Sequence, residues 1–257
     1  MSDAPRQFIK TAEATALPRF EAEVAGLATL RASGAVRVPE VLACGLEGGQ
    51  ARLILEYFDL CGLNRSSGAA LGRALAALHR TLGNEFGAAG DNFIGATPQI
   101  NTPHRNWARF FADCRLMPQL DWALENSMER ALVDRGRDLA ERLSAFFVDY
   151  TPAPSLLHGD LWSGNADALA DGTPVIFDPA VYYGDRETDL AMAELFGGFP
   201  ESFFAAYREA WPLDAGFETR KPLYNLYHIL NHFNLFGPSY LGQTKRMIEK
   251  LLGELRG

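Results

Sequence analysis

Leu156-Leu157-His158-Gly159-Asp160-Leu161-Trp162-Ser163-Gly164-Asn165, followed at short range by Val175-Ile176-Phe177-Asp178, decides how this chain reads. An apolar pair leads into His-x-Asp, and an Asn stands five residues beyond that Asp. A turn at Gly172-Thr173-Pro174 then gives way to a second apolar run that ends in another Asp. Buried strand-like segments on both sides would hold the loop rigid while its polar residues stay at the surface. Phosphoryl transfer asks for little else: a carboxylate within hydrogen-bond reach of the attacking hydroxyl, and oxygen ligands for the magnesium that bridges the phosphates. Asp160 suits the first role, and Asn165 with Asp178 the second. The alternative is that Asp160 and Asn165 cap turns and that Asp178-Pro179 opens an ordinary one. His158 is expected to fix the loop through backbone hydrogen bonds rather than to move a proton.

With 257 residues, 47% hydrophobic and 22% charged, the composition is that of a soluble globular protein of one large domain or two modest lobes. A net charge of -8 with no Lys/Arg-rich run argues against a nucleic-acid binder. No apolar run is long enough for a membrane span, and no leader-like segment opens the sequence. Cys44, Cys61 and Cys114 are scattered and odd in number, which fits reduced thiols in a cytoplasmic protein.

In chain order, Gln7-Phe8-Ile9-Lys10 reads as the end of a strand, and Phe20, Val24, Leu27 and Leu30 mark one face of a helix that stops near Gly34. Val38–Cys44 and Ala51–Glu56 read as strands of a hairpin turning at Gly48-Gly49. A polar stretch up to Gly68 marks the boundary of the first lobe, which leaves 1-58 and 59-257 as the two units. Leu71, Leu75, Leu78 and Leu82 predict a helix, with His79 near its end bonded to solvent or a carbonyl. Residues 91–101 read as a polar functional loop. A helix from Trp107 is expected to break at Pro118, and 120–147 to be helical with a break at Gly136. Tyr150–Pro154 leads, extended, into the catalytic loop, and helices are expected around 189–196, 201–211, 221–236 and 243–255. The fold class is therefore α+β.

A strand Lys, a helix Glu, a strand-to-hinge segment, His-x-Asp-x4-Asn and a strand-borne Asp, in that order, resemble the protein-kinase-like phosphotransferases. More narrowly the chain resembles the fructosamine kinase (ketosamine-3-kinase) family, near the aminoglycoside and choline phosphotransferases. The narrower likeness rests on residues 158–165, on Asp91-Asn92-Phe93-Ile94-Gly95 with Pro98-Gln99-Ile100-Asn101, on Phe196-Gly197-Gly198-Phe199-Pro200, and on Asn231-His232-Phe233-Asn234. The resemblance implies a two-lobe kinase-like fold using ATP and Mg2+ to phosphorylate the 3-hydroxyl of a ketosamine, in protein deglycation.

It implies that Lys10, paired with Glu23, holds the α- and β-phosphates, that Glu56, Tyr57 and Phe58 form the hinge for adenine, that Asp160 is the base, and that Asn165 and Asp178 hold magnesium. Without it Lys10 and Glu23 would pass as surface charges. Trp162 would stack on the sugar or else sit in the core, and Asn231 and His232 would line the acceptor pocket or else be core polar groups. Asp185 and Asp189 would brace the loop. Only nine residues precede Lys10 and they hold no Gly-rich loop, so the first lobe reads as truncated. An open phosphate site, weak nucleotide binding, slow or absent turnover, and self-association through an exposed sheet edge are the expectations that follow. A related aminoglycoside- or choline-type kinase, or a catalytically silent binding module, are the alternatives.

Overall fold

The computed structural model describes residues 6–255. Its first unit is an antiparallel sheet of β1 (Gln7–Glu13), β2 (Val41–Glu47) and β3 (Gln50–Glu56) in the order β1-β3-β2. Strand alternation sends Ala51, Leu53 and Leu55 of β3 into the core, and Lys10 lies across from Leu53. Helix α1 (Leu17–Ala32) covers the sheet through Phe20, Leu27 and Leu30, with Val24 half-buried and Pro18 in the first turn, where its missing N–H costs nothing.

The hairpin turns at Gly48-Gly49, both with positive φ, as expected. The strand before it begins at Val41 rather than Val38, because Arg37 bridges instead to Val175 in the other lobe and its carbonyl accepts from the Ile176 N–H at 3.0 Å. Pro39, between them, has no N–H to give a ladder.

Helix α2 (Arg65–His79) starts inside the polar stretch, capped by the Asn64 side chain, which accepts from the N–H groups of Ser66 and Ser67 while Ser67 Oγ accepts from the Asn64 N–H. It ends at His79, so Leu82 is not on its buried face but beyond it and exposed. The 91–101 stretch is a hairpin, not a loop: β4 (Asn92–Ile94) pairs with β5 (Thr97–Gln99). Its amides lock it, since Gln99 Nε2 donates to Asn92 Oδ1 at 2.8 Å and to Ala180 O at 3.1 Å.

Pro118 does not break the helical run that starts with α3 (Trp107–Phe111). A π-helical turn at Ala112–Leu116 passes into α4 (Met117–Glu125), which takes Pro118 in its first turn. The break comes at 126–129, where Ser127 has φ 69°, and not at Gly136. Gly136 lies inside α5 (Arg130–Glu141), where a Cβ would meet Leu120 Cδ2 at 2.5 Å.

Four short strands carry the 158–165 and 177–181 loops. β6 (Ser155–Leu157) pairs with β9 (Tyr182–Gly184), and β7 (Ala166–Ala168) pairs with β8 (Pro174–Ile176). Residues 158–165 therefore span from one ladder to the other, and Asp178 stands on the return between them. Behind them pack α6 (Glu187–Leu195), α7 (Glu201–Ala210), α8 (Phe217–Phe236) and α9 (Leu241–Glu254), close to the helices expected. Helix α7 meets α2 at Gly72, where a Cβ would fall 2.2 Å from Phe203 O. No helix among the described residues is long and apolar enough to cross a membrane.

Candidate active site

The 158–165 loop is held from behind by one carboxylate. Asp189 on α6 accepts the N–H groups of His158 at 2.8 Å and Gly159 at 2.9 Å, and His79 Nε2 lies 3.1 Å from its Oδ2. His79 is thus fully buried, with Nδ1 against the Tyr207 hydroxyl at 2.8 Å, contrary to the solvent or carbonyl partner expected of it. Burial pushes the Asp189 carboxyl up, but the hydrogen bond from His79 and the surrounding donors outweigh it and hold the pKa below the usual value. His158 donates from Nε2 to Phe177 O at 2.9 Å and accepts the Asp160 N–H on Nδ1 at 3.2 Å, so it ties the two loops together and stays neutral, burial lowering its pKa. Gly159, at φ 84°, passes Ala180 O so closely that a Cβ would sit 2.0 Å from it.

Asp160, Asn165 and Asp178 converge in front of this scaffold. Asn165 Nδ2 donates to Asp160 O at 2.9 Å, and reaches Asp160 Oδ2 at 3.4 Å and Asp178 O at 3.5 Å. That commits the amide nitrogen, so Oδ1 is the atom left to accept or to ligate. From β1, Lys10 Nζ bonds both Glu23 oxygens, at 2.8 and 2.9 Å, and also Asp178 Oδ1. Burial lowers the Lys10 pKa, but Glu23 and Asp178 outweigh it and the net shift is upward. Asp178 itself has φ 56°, the left-handed region, which aims its carboxylate at the cleft.

Lys10, Glu23, Asp160, Trp162, Asn165 and Asp178 line one cleft of about 450 Å3. Two others adjoin it. A slot of about 360 Å3, reached past Asp178, is walled by Phe8, Leu55, Glu56, Tyr57, Phe58 and Phe177. The Glu56 carboxylate is turned away to Arg37 and the Glu40 N–H, and the Glu56 N–H bonds Glu40 O. The N–H groups of Tyr57 and Phe58 donate to no protein group among the described residues.

The second neighbour, about 440 Å3, shares Gly95, Asp160 and Trp162 with the cleft and is walled by Met192, Phe196, His228, Asn231, His232 and Tyr240. Trp162 is 40% exposed, so it is not a core residue; its indole lies over Gly164, where a Cβ would fall 2.2 Å from Cη2. Asn231 is deep, and its Oδ1 accepts from Gln119 Nε2 at 3.2 Å. His232 donates from Nδ1 to His228 O at 2.7 Å and lies among Phe196, Phe236 and Tyr240.

Sequence reasoning missed Arg19, Phe93 and His228 in these walls. His228 stands four residues before His232, and Arg19 four before Glu23, the same-face spacing of a helix, which was the available signal. Burial, and then the neighbouring His232, lower the His228 pKa to about 3, so this imidazole is uncharged near neutral pH.

Asp160 is the most perturbed carboxyl of the cleft. Burial, and then the charges of Asp189 and Asp178, raise its pKa to about 7, with Asn165 pulling the other way. A carboxyl poised near neutrality beside an open pocket suits proton transfer. No three His, Cys, Asp or Glu among the described residues form a metal cage. Asn165 Oδ1 and the Asp178 carboxylate could supply the hard, sparse oxygen set that suits magnesium when phosphates and waters complete its shell.

A small sheet with one helix, a cleft, and a larger helical unit carrying His-x-Asp-x4-Asn define a protein-kinase-like fold. The choline kinase LicA of Streptococcus pneumoniae shares that fold, with a TM-score of 0.64 over 98% of this chain and 88% of that one at 14% identity. Within that class the chain belongs to the fructosamine kinase family, whose model matches residues 1–254. A protein of Synechocystis sp. described as a probable ketoamine kinase is 44% identical over 96% of this chain and 83% of its own length. The chloroplastic protein-ribulosamine 3-kinase of Arabidopsis thaliana is 40% identical over 99% of this chain and 78% of its own. A solved Haemophilus somnus structure, described as a candidate fructosamine-3-kinase, superposes with a TM-score of 0.89 at 31% identity, covering 97% of this chain and 84% of that one.

Proposed function

We propose that this chain transfers the γ-phosphoryl group of ATP to the 3-hydroxyl of a ketosamine, the sugar adduct of a free or protein-linked amine, and thereby promotes deglycation. The observation that carries this reading is the continuity of three pockets through two carboxylates. The apolar slot at Tyr57-Phe58 and the cleft meet at Asp178, and the cleft and the aromatic pocket meet at Asp160. A nucleotide in the first and a sugar in the last would bring phosphate and hydroxyl together at Asp160.

In this reading the N–H groups of Tyr57 and Phe58 face adenine, and Lys10, aimed by Glu23, holds the α- and β-phosphates. Asn165 and Asp178 would hold a magnesium ion, which when bound would offset negative charge on the phosphates. Trp162 offers a flat apolar face to the sugar ring, while Asn231 and His232 line its pocket. Asp160 takes the proton of the 3-hydroxyl as that oxygen forms its bond to the γ-phosphorus and the bond from phosphorus to the β,γ-bridging oxygen breaks, leaving ADP.

Phosphorus NMR of a mixture of chain, magnesium-ATP and a synthetic ketosamine is expected to show a sugar phosphate on the 3-oxygen. Phosphate appearing on choline or an aminoglycoside, with none on the ketosamine, would reassign the acceptor.

Two further properties, self-association and compartment, are proposed alongside the activity. The outer edge of β1 pairs with no strand among the described residues, and it carries Phe8 and Ile9, both close to half exposed. Such an edge favours association of two copies, read as a concentration-dependent shift in sedimentation velocity, against which a single monomer boundary at high concentration would count. The unpaired thiols of Cys44, Cys61 and Cys114 support a reducing, cytoplasmic compartment, which cell fractionation tests.

A further inference from the structure

Besides Lys10, the cleft wall holds one other cation among the described residues, Arg19 on α1. Its side chain makes no ion pair or hydrogen bond there, and its Nε is buried without a partner. The contrast with Lys10 is sharp, because that ammonium is already bonded to Glu23 and Asp178. Arg19 lies one helical turn before Glu23 on the same face, about 6 Å along the axis. A carboxylate partner was therefore within reach of its own helix, yet Glu23 bonds Lys10. A guanidinium held at a cleft wall with its donors unused is matched by an anion with several oxygens, which it can take bidentately.

We infer that Arg19 is a second phosphate-binding cation of this site and takes the terminal phosphoryl group of the triphosphate, one step along the cleft from the phosphates at Lys10. The inference rests on the nucleotide reading above. It assigns the two cations different phosphates: Lys10 serves diphosphate and triphosphate alike, whereas Arg19 serves the triphosphate and the group in flight.

Isothermal titration of the full chain with magnesium-ADP and with magnesium β,γ-methylene-ATP separates these roles. Arg19→Met is expected to weaken the triphosphate analogue about tenfold or more while leaving ADP within about twofold, and Arg19→Lys to recover part of the loss. In turnover the same variant is expected to lower kcat as well as raise KM for ATP. Equal weakening of both nucleotides, or of neither, would overturn the assignment. So would a rise in KM confined to an acceptor that bears a carboxylate. Wild-type chain that binds neither nucleotide would remove the nucleotide reading itself, an outcome distinct from a wild type that binds both and a variant that does not discriminate. A thermal melt of each variant shows whether a loss reflects the cleft or the fold.

Discussion

Asp160 carries the sharpest conflict between stability and use. Below about pH 4 its carboxyl is protonated folded or unfolded, and no difference arises. Between its unfolded value of 3.8 and its folded value of about 7, the folded state retains a proton that the unfolded chain has released. Above that range both are ionised and the folded state bears the full cost of a buried charge. The gap corresponds to roughly 2–4 kcal/mol after allowance for relaxation. Asp160→Asn, which keeps the shape and removes the charge, is therefore expected to raise the melting temperature at pH 8 and leave it unchanged near pH 4. An equal shift at both pH values would show that the carboxylate is not strained by burial. On the proposal that Asp160 is the base, kcat/KM for ATP is expected to rise with pH through about 7, because that carboxyl would have to be unprotonated in the free enzyme. A profile flat from pH 5.5 to 8 would contradict that.

At the scale of elements, α6 matters more than its length suggests. It holds the 158–165 loop through Asp189, and its first residue, Glu187, is tied to α8 by Arg220, whose Nε and Nη2 donate to the two carboxylate oxygens at 2.8 and 2.9 Å. Arg220 also lies 3.9 Å from the Tyr150 ring centroid. Burial raises the Glu187 pKa to about 7 even with Arg220 beside it. Arg220→Ala would leave that carboxylate buried and unpaired, and is expected to cost about 3–5 kcal/mol in urea unfolding at pH 8, less at pH 5, where Glu187 takes a proton. Arg220→Met combined with Glu187→Leu is expected to restore most of the loss. A single variant within about 0.5 kcal/mol of wild type would contradict this view of the clamp.

What the sequence disclosed follows the range of the interactions. His158 to Asp178 could be read because spacing and flanking apolar runs lie within a single stretch. His79 could not, since its partners Tyr207 and Asp189 come from more than a hundred residues away. The β4–β5 hairpin was hidden because its strands are three residues each, hold Pro98, and are secured by Gln99 and Asn101 rather than by an apolar alternation. The π-helical turn before Pro118 leaves no pattern in composition, and Arg19 resembled any surface arginine until the cleft closed around it.

For the whole molecule, the question is whether residues 1-58 and 59-257 act as two lobes on a shared nucleotide. The two are joined by Lys10 to Asp178 in the cleft and by the Arg37–Val175 bridge, where the Ile176 N–H donates to Arg37 O at 3.0 Å. We propose that the division works as a hinge at the 56–62 segment. Amide hydrogen exchange is then expected to slow in β3, in 57–62 and in 176–180 together when magnesium-ADP is added. Protection confined to one side of the cleft would count against a shared site.

In the proposed reaction Asp160 receives a proton from a ketosamine hydroxyl while ATP is consumed. Coupled ADP release with magnesium-ATP and a synthetic ketosamine, run on the chain and on Asp160→Ala, tests this directly. The expected result is ADP formation that depends on the ketosamine in the wild type and falls about a hundredfold to ten-thousandfold in the variant. Release that ignores the ketosamine, or that survives Asp160→Ala undiminished, would contradict it.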